Sequence, residues 1–218
     1  MRVAIAGAGK VGRAIARELV GNGHDVLLID KDAELARPGV VEGAGSLLAD
    51  ACEVSALDEA RLAECQVVVA ATGDDKVNLV VSLLAKTEFG VPRVVARVNH
   101  PKNEWMFDES WGVVVAVSAP RMLSALVEEA VSVGDLVRLF TFRQGAAELV
   151  EMTLPSTSPV VGHSTSSIDW PQDTVPVAIV RGTHVKTPDA SLVLEAGDEL
   201  LFVAAPEREA ELQALLGH

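Results

Sequence analysis

A glycine series, Gly7-Ala8-Gly9-Lys10-Val11-Gly12, constrains the fold of this chain more than any other stretch. It follows an apolar run at 2–6 and opens onto Val11, Ala14, Ile15 and Leu19, which recur at helical spacing until Gly21 and Gly23 end the helix. At such a strand-to-helix joint the glycines have separate tasks. The first permits the tight turn, the second lets backbone approach a phosphate, and the third allows close packing of helix on strand. The start of the helix then presents unpaired N–H groups to an anion. The series predicts an α/β fold, a doubly wound parallel sheet of Rossmann type with an anion cradle at its edge.

Further along, apolar runs at 25–29, 46–49, 66–71, 93–98 and 113–117 alternate with amphipathic stretches. Val67-Val68-Val69-Ala70-Ala71 lacks the polar alternation of a half-exposed strand, as expected where helices cover both faces of a sheet. With 2–6, these runs predict six strands in one sheet. Pro38, Gly39, Gly43 and Gly45 crowd the stretch 32–45, where a helix and a third strand should join, and blur its boundaries. After a helical run at 119–132 the pattern alternates over 135–160, and Ser/Thr-rich turns at 156–159 and 163–167 interrupt it. A length of 218 residues suits two modest domains, so the sequence divides into a Rossmann nucleotide-binding domain at 1–134 and a small α+β lobe at 135–218. Strand candidates in the lobe are 147–154, 176–181 and 199–204, with a turn at Glu195-Ala196-Gly197-Asp198 and a closing helix at 206–216.

Asp30 closes the second strand candidate, where a carboxylate can accept both hydroxyls of an adenosine ribose; capping a following helix is the plainer alternative. A 2′-phosphate facing that carboxylate at ~4 Å costs roughly 4 kcal/mol at an effective dielectric near 20. NAD, ATP or ADP is therefore expected over NADP, although Lys31 can soften the repulsion. Thr72-Gly73-Asp74-Asp75 follows the fourth strand candidate and Arg97 lies at the end of the fifth, both at the carboxyl edge where open α/β sheets bind ligands. Arg97 can neutralise a terminal phosphate or pair with Asp74 or Asp75, and Lys10 can read phosphate or stay solvated.

Composition narrows the partners. With 18 Lys+Arg against 31 Asp+Glu the net charge is -13, a field that repels nucleic acid, so a polyanionic ligand must be met by local donors. Cys52 and Cys65 fit neither a disulfide framework nor a CxxC pair and point to a reducing compartment. No run of ~18 apolar residues is present, and the chain enters its first strand without the apolar core of a signal peptide, so a cytoplasmic location is expected. His24, His100, His163, His184 and His218 lack metal-ligand spacing, and Gly43-Ala44-Gly45-Ser46 is not a nucleophile elbow, so neither a metal centre nor hydrolase chemistry is expected. Trp105 and Trp111 flank Met106 and Phe107 at near-helical spacing and are expected in core or interface packing.

Several motifs then fall in an ordered series: the three glycines, Asp30, Asp50-Ala51, Thr72-Gly73-Asp74-Asp75 with Asn78, Arg97-Val98-Asn99-His100-Pro101 and Trp111-Gly112-Val113. The tail continues it with Val177-Ala178-Ile179-Val180-Arg181-Gly182, Pro188 and Gly197-Asp198-Glu199-Leu200-Leu201. By this series the chain resembles the regulator-of-potassium-conductance (RCK) family, TrkA/KtrA type, over nearly its whole length. The resemblance implies a nucleotide-binding regulatory subunit rather than an enzyme, cytoplasmic and peripheral to the inner face of the cell membrane. Its implied partner is a potassium-translocating membrane subunit of Trk/Ktr type. Its implied assembly is a homo-oligomer, from dimer to octameric ring, or a hetero-oligomer with a second RCK subunit. NAD(H) or ATP/ADP is the implied ligand, with Asp30 on ribose, Asp50 near adenine, and Lys10 and Arg97 on phosphates. The implied site comprises Gly7, Gly9, Lys10, Val11, Gly12, Asp30, Lys31, Asp50, Ala51, Thr72, Gly73, Asp75, Asn78 and Arg97. Some relatives bind cyclic di-AMP in the C-terminal lobe, which makes Arg181, His184 and Pro188 candidate contacts here. Ala119-Pro120-Arg121 departs from the family's Glu after Pro, and a cationic Arg121 cannot ligate a cation that bridges two nucleotides; it can contact phosphate or make a surface ion pair.

Two other classes compete. A small NAD-dependent oxidoreductase needs a proton donor near the nicotinamide, and in a chain without Tyr the second lobe offers only His163, His184 and Lys186. A stand-alone nucleotide sensor differs from the regulatory reading only in its partner.

Overall fold

The computed structural model describes residues 1–131, 133–142 and 147–217. The chain forms two compact units, Met1–Pro120 and Arg121–His218. This division falls ahead of the expected boundary at 134/135 by most of one helix.

The first unit is built on β1 (Arg2–Ala6), β2 (Asp25–Asp30), β3 (Gly45–Leu48), β4 (Val67–Ala70), β5 (Arg93–Arg97) and β6 (Val115–Val117), with α1 (Lys10–Gly21), α2 (Val54–Glu59) and α3 (Asp75–Thr87). All six strands are parallel in the order β3-β2-β1-β4-β5-β6. The order reverses direction between β1 and β4, the place where a doubly wound sheet opens a crevice. Alternate residues of β1 serve opposite layers. Val3 and Ile5 pack with Ala16, Val26 and Leu28 beneath α1, while Ala4 and Ala6 pack with Leu57, Leu79 and Ala85 beneath α2 and α3. That two-sided burial is why the strands carry unbroken apolar runs.

Between β2 and β3 no helix forms. Residues 31–44 run as successive turns, with Gly39 and Gly43 at φ +76 and +80, and only Ala36 and Val41 are buried. Left-handed glycines stop helix propagation here, so the expected helix is absent for a local backbone reason. Among the tryptophan pair, Trp111 packs against the core whereas Trp105, on the short 3-10 turn Pro101–Met106, is 78% exposed.

The second unit contains most of α4 (Ala119–Val131), then β7 (Val137–Thr141), β8 (Glu148–Thr153), β9 (Thr174–Arg181), β10 (His184–Lys186), β11 (Glu199–Ala204) and α5 (Glu209–Leu216). The strands form an antiparallel sheet in the order β10-β9-β11-β8-β7. Val150, Met152, Leu200 and Phe202 meet Leu212 and Leu216 of α5 in its core. Gln213 pins α5 to the chain ahead of β7, accepting from Leu136 N at 2.6 Å and donating to Gly134 O at 2.9 Å. The expected strands 147–154, 176–181 and 199–204 and the closing helix are all present, and β7 and β10 are additional.

Where α5 begins, two carboxylates share one arginine. Arg138 donates to both oxygens of Glu209 (2.9 and 2.7 Å), and the same Nε lies 2.9 Å from Oε2 of Glu148, which is 3% exposed. Burial first, then the neighbouring Glu209, pushes the Glu148 carboxyl above its ordinary range, while Arg138 first of all holds Glu209 below its own. The signs differ. Glu148 contributes stability that is lost as pH rises through its raised pKa, and Glu209 contributes stability that is lost as pH falls through its lowered one. A Glu148→Gln variant keeps the shape and cannot ionise. Its melting temperature is expected to gain on that of the original chain as pH rises, and parallel pH profiles for the two proteins would contradict this account.

Candidate nucleotide-binding site

At the carboxyl edge of the first sheet lies a cavity of about 620 Å³, within the range of ligand sites. Its floor is the glycine turn. Gly7 adopts φ +105 and donates to Ile29 O at 2.8 Å, and a Cβ there would stand 2.9 Å from backbone atoms of Ala71 and Thr72. Gly9 precedes α1 with nothing near its missing Cβ, so this stretch of backbone is open to a ligand. No side chain caps α1, and the first-turn N–H groups have no partner within the helix. Gly12 does not line the cavity. It packs α1 onto the turn, with its missing Cβ 1.8 Å from Gly7 O.

Asp30, the last residue of β2, braces the turn from the opposite side. Its Oδ2 accepts from Ala8 N at 2.7 Å and its Oδ1 from Asp32 N at 3.0 Å. No helix follows it, which removes the capping alternative. Each carboxylate oxygen keeps a second lone pair for a hydroxyl donor. Asp50, after β3, accepts from Cys52 N at 2.9 Å and lines the cavity with Ala51.

Beyond β4, Thr72 and Gly73 form the facing wall, and Arg97 reaches the cavity from the end of β5. Arg97 Nε is buried without a hydrogen-bond partner, and among the described residues no ion pair joins it to Asp74 or Asp75. Asp75 is otherwise engaged. It accepts from Asn99 N (2.6 Å), Asn99 Nδ2 (3.0 Å), His100 N (3.0 Å) and Asn103 Nδ2 (2.8 Å). Burial opposes its ionisation, yet these hydrogen bonds outweigh burial and hold the Asp75 carboxyl below its ordinary range.

The fold thus brings together on one cavity all the expected residues except Gly12, Asp75 and Asn78, which sit behind its wall. Sequence reasoning missed Ile29, Leu35, Ala49, Ala71, Asp74 and Val77. The apolar members make a slot suited to a flat ring, and for Ile29, Ala49 and Ala71 the available signal was their position at or just past strand ends on the carboxyl edge. In the second unit Arg181 does not present a free guanidinium. It donates to Asp198 at 2.6 and 2.7 Å, to Val193 O at 2.8 Å and to Glu195, so it staples β9 to the turn before β11.

Residues 3–119 match the TrkA-N domain family and residues 149–217 match the TrkA-C domain family. The chain belongs to the TrkA family. It is 57% identical over 216 residues to the Trk system potassium uptake protein TrkA of Mycobacterium tuberculosis (strain ATCC 25618 / H37Rv), covering 99% of this chain and 98% of that protein. To the TrkA homolog of Methanothermobacter thermautotrophicus it is 31% identical over 201 residues, 92% of each chain. Among solved structures it is similar to the GsuK channel bound to NAD, with a TM-score of 0.67 at 17% identity, spanning all of this chain and 39% of that one. At that identity the likeness shows the fold alone.

Proposed function

We propose that this TrkA-family chain is a nucleotide-responsive regulatory subunit of a Trk-type potassium uptake system, and not an enzyme. One observation carries the reading: the glycine turn, Asp30 and Arg97, far apart in sequence, converge on a single cavity. The turn and the start of α1 receive a diphosphate, Asp30 accepts the adjoining ribose hydroxyls, and Arg97 and Lys10 meet the outer phosphates. Adenine fills the apolar slot beside Asp50. NAD(H), ATP and ADP share this adenosine diphosphate part. An apolar groove of about 110 Å³ shares Val11, Ala71 and Arg97 with the cavity and favours a dinucleotide whose second half continues there. The cavity lining holds neither His nor Tyr, and its two lysines, Lys10 and Lys31, adjoin Gly9 and Asp30, which this reading assigns to phosphate and ribose.

The partner is a potassium-translocating membrane subunit, reached from the cytoplasmic side. Named relatives belong to Trk potassium uptake systems, and no helix among the described residues is long and apolar enough to cross a membrane. Assembly with further copies is supported by α4, where Met122, Leu123, Leu126 and Val127 are 43–64% exposed along one stripe. A cyclic di-AMP site in the second unit would have to use His184 and Pro188 without Arg181.

Calorimetry of the full chain with ADP, NADH and NADPH tests the ligand. ADP and NADH are expected to bind, and NADPH to bind more weakly, by up to about several hundredfold, because Asp30 repels its 2′-phosphate by roughly 4 kcal/mol at most. Asp30→Ala should weaken ADP about tenfold or more. Potassium flux through the reconstituted transporter, with and without nucleotide, tests the regulation. Flux indifferent to saturating ligand would sink the regulatory reading.

A further inference from the structure

Asn78 was expected at the ligand, and its surroundings point elsewhere. It lies in the first turn of α3, is 0% exposed, and has every polar atom engaged. Oδ1 accepts from Thr72 N at 2.9 Å and from Thr72 Oγ1 at 2.7 Å. Nδ2 donates to Arg97 O at 2.8 Å and to Thr72 O at 3.3 Å. A side-chain amide has two donors and an acceptor with two lone pairs, so nothing is left for a nucleotide.

What Asn78 does is continue a sheet. The ladder between β4 and β5 ends at the pair Ala70 and Ala96, and beyond it the two chains part. The Asn78 amide fits into the gap as a surrogate peptide group, receiving an N–H from the β4 side and giving one to a carbonyl on the β5 side. That carbonyl belongs to Arg97. Asn99 adds a second tie, donating to Thr72 O at 3.0 Å.

We propose that Asn78 is a positioning residue for phosphate: its amide holds the backbone of Arg97 and the Thr72–Gly73 wall at a fixed spacing, and so aims the Arg97 guanidinium into the cavity. The proposal rests on the nucleotide reading above. Much of the adenosine end of the site, formed by Asp30, Asp50 and the slot residues Ile29, Leu35 and Ala49, stands on the other side of the switch point and receives none of the Asn78 hydrogen bonds. Loss of the amide therefore acts on the phosphate-bearing part of a ligand and spares the nucleoside.

The test is calorimetry of ADP and adenosine with the full chain, Asn78→Ala, Arg97→Ala and the double variant. Asn78→Ala should weaken ADP about tenfold, the equivalent of ~1.4 kcal/mol, and leave adenosine within about twofold. In the double variant ADP should bind about as it does to Arg97→Ala alone, since two residues acting through one contact are not additive. Equal losses for ADP and adenosine, or fully additive losses, would make Asn78 a general packing residue and overturn the proposal. If the alanine variant does not fold, Asn78→Asp replaces it. That change keeps the acceptor for Thr72 and removes the donor to Arg97 O, so the same selective loss is expected. An original chain that binds adenosine but gains nothing from the phosphates of ADP would overturn both this proposal and the phosphate reading. An original chain that gains affinity from those phosphates, alongside Asn78 variants that keep the gain, would overturn this proposal alone.

Discussion

Alanine at Gly12 should abolish nucleotide binding and strongly destabilise the first unit, whereas alanine at Gly9 should weaken binding about a hundredfold with little effect on stability. The two glycines lie three residues apart, Gly9 just ahead of α1 and Gly12 within it, and of the two only Gly12 faces other protein atoms. A Cβ on Gly12 would stand 1.8 Å from Gly7 O, which is backbone and cannot swing aside, so α1 must move off the turn. Overpacking of that kind costs ~3 kcal/mol or more, a fall of roughly 10 °C in melting temperature for a unit of this size. A Cβ on Gly9 meets no protein atom within 4 Å, and its φ of −67 suits any residue. That methyl would instead occupy the place where phosphate oxygens approach the chain, and an affinity loss of about a hundredfold is expected. Melting curves together with ADP titrations separate the two effects. A Gly9→Ala chain that binds ADP like the original would mean that the diphosphate does not lie against this turn.

The second large effect lies in the other unit. Asp198 is 1% exposed and accepts three hydrogen bonds, two from Arg181 and one from Glu195 N at 2.9 Å. Its backbone carbonyl also receives Leu154 N at 2.9 Å. Asp198→Ala leaves the Arg181 guanidinium without its buried partner, a change that costs ~3–5 kcal/mol when one member of a buried ion pair is removed. A drop of more than about 10 °C in the melting of the second unit is expected, while ADP affinity should hold, since the cavity lies wholly in the first. Replacing both partners with apolar residues of similar volume should restore much of the loss. A single Asp198→Ala variant that melts within a degree or two of the original would mean that the cluster is solvated and contributes little.

How far these features were legible in the chain differs by element. The six parallel strands were legible because strands buried on two faces carry apolar runs, and the turn was legible because only glycines fit its geometry. The stretch 32–45 misled because a helix is the usual link between parallel strands, whereas Gly39 and Gly43 favour turns. β10 has three residues, too few to display a period, and β7 was hidden inside one long alternating stretch. At the site, residues fixed by strand ends could be placed. Asn78 could not, because the bonds that define its task run to Thr72 and Arg97, and spacing along a chain does not reveal a side chain filling a gap between diverging strands. Leu35 and Val77 were missed for a related reason: a single apolar residue in a loop or first turn has no pattern around it.

The tight contact between Gly7 and the backbone of Ala71 and Thr72 also governs when the site can come into being during synthesis. A nascent chain that has emerged only as far as β2 already owns its glycines and Asp30, but the surface on which Gly7 rests has not been made. Pairing β1 with β4 joins distant stretches of polypeptide, a slow kind of event compared with closing the β7–β8 hairpin. Ligand can therefore reward only late folding intermediates. Chains truncated before β4 should fail to be rescued by any concentration of nucleotide.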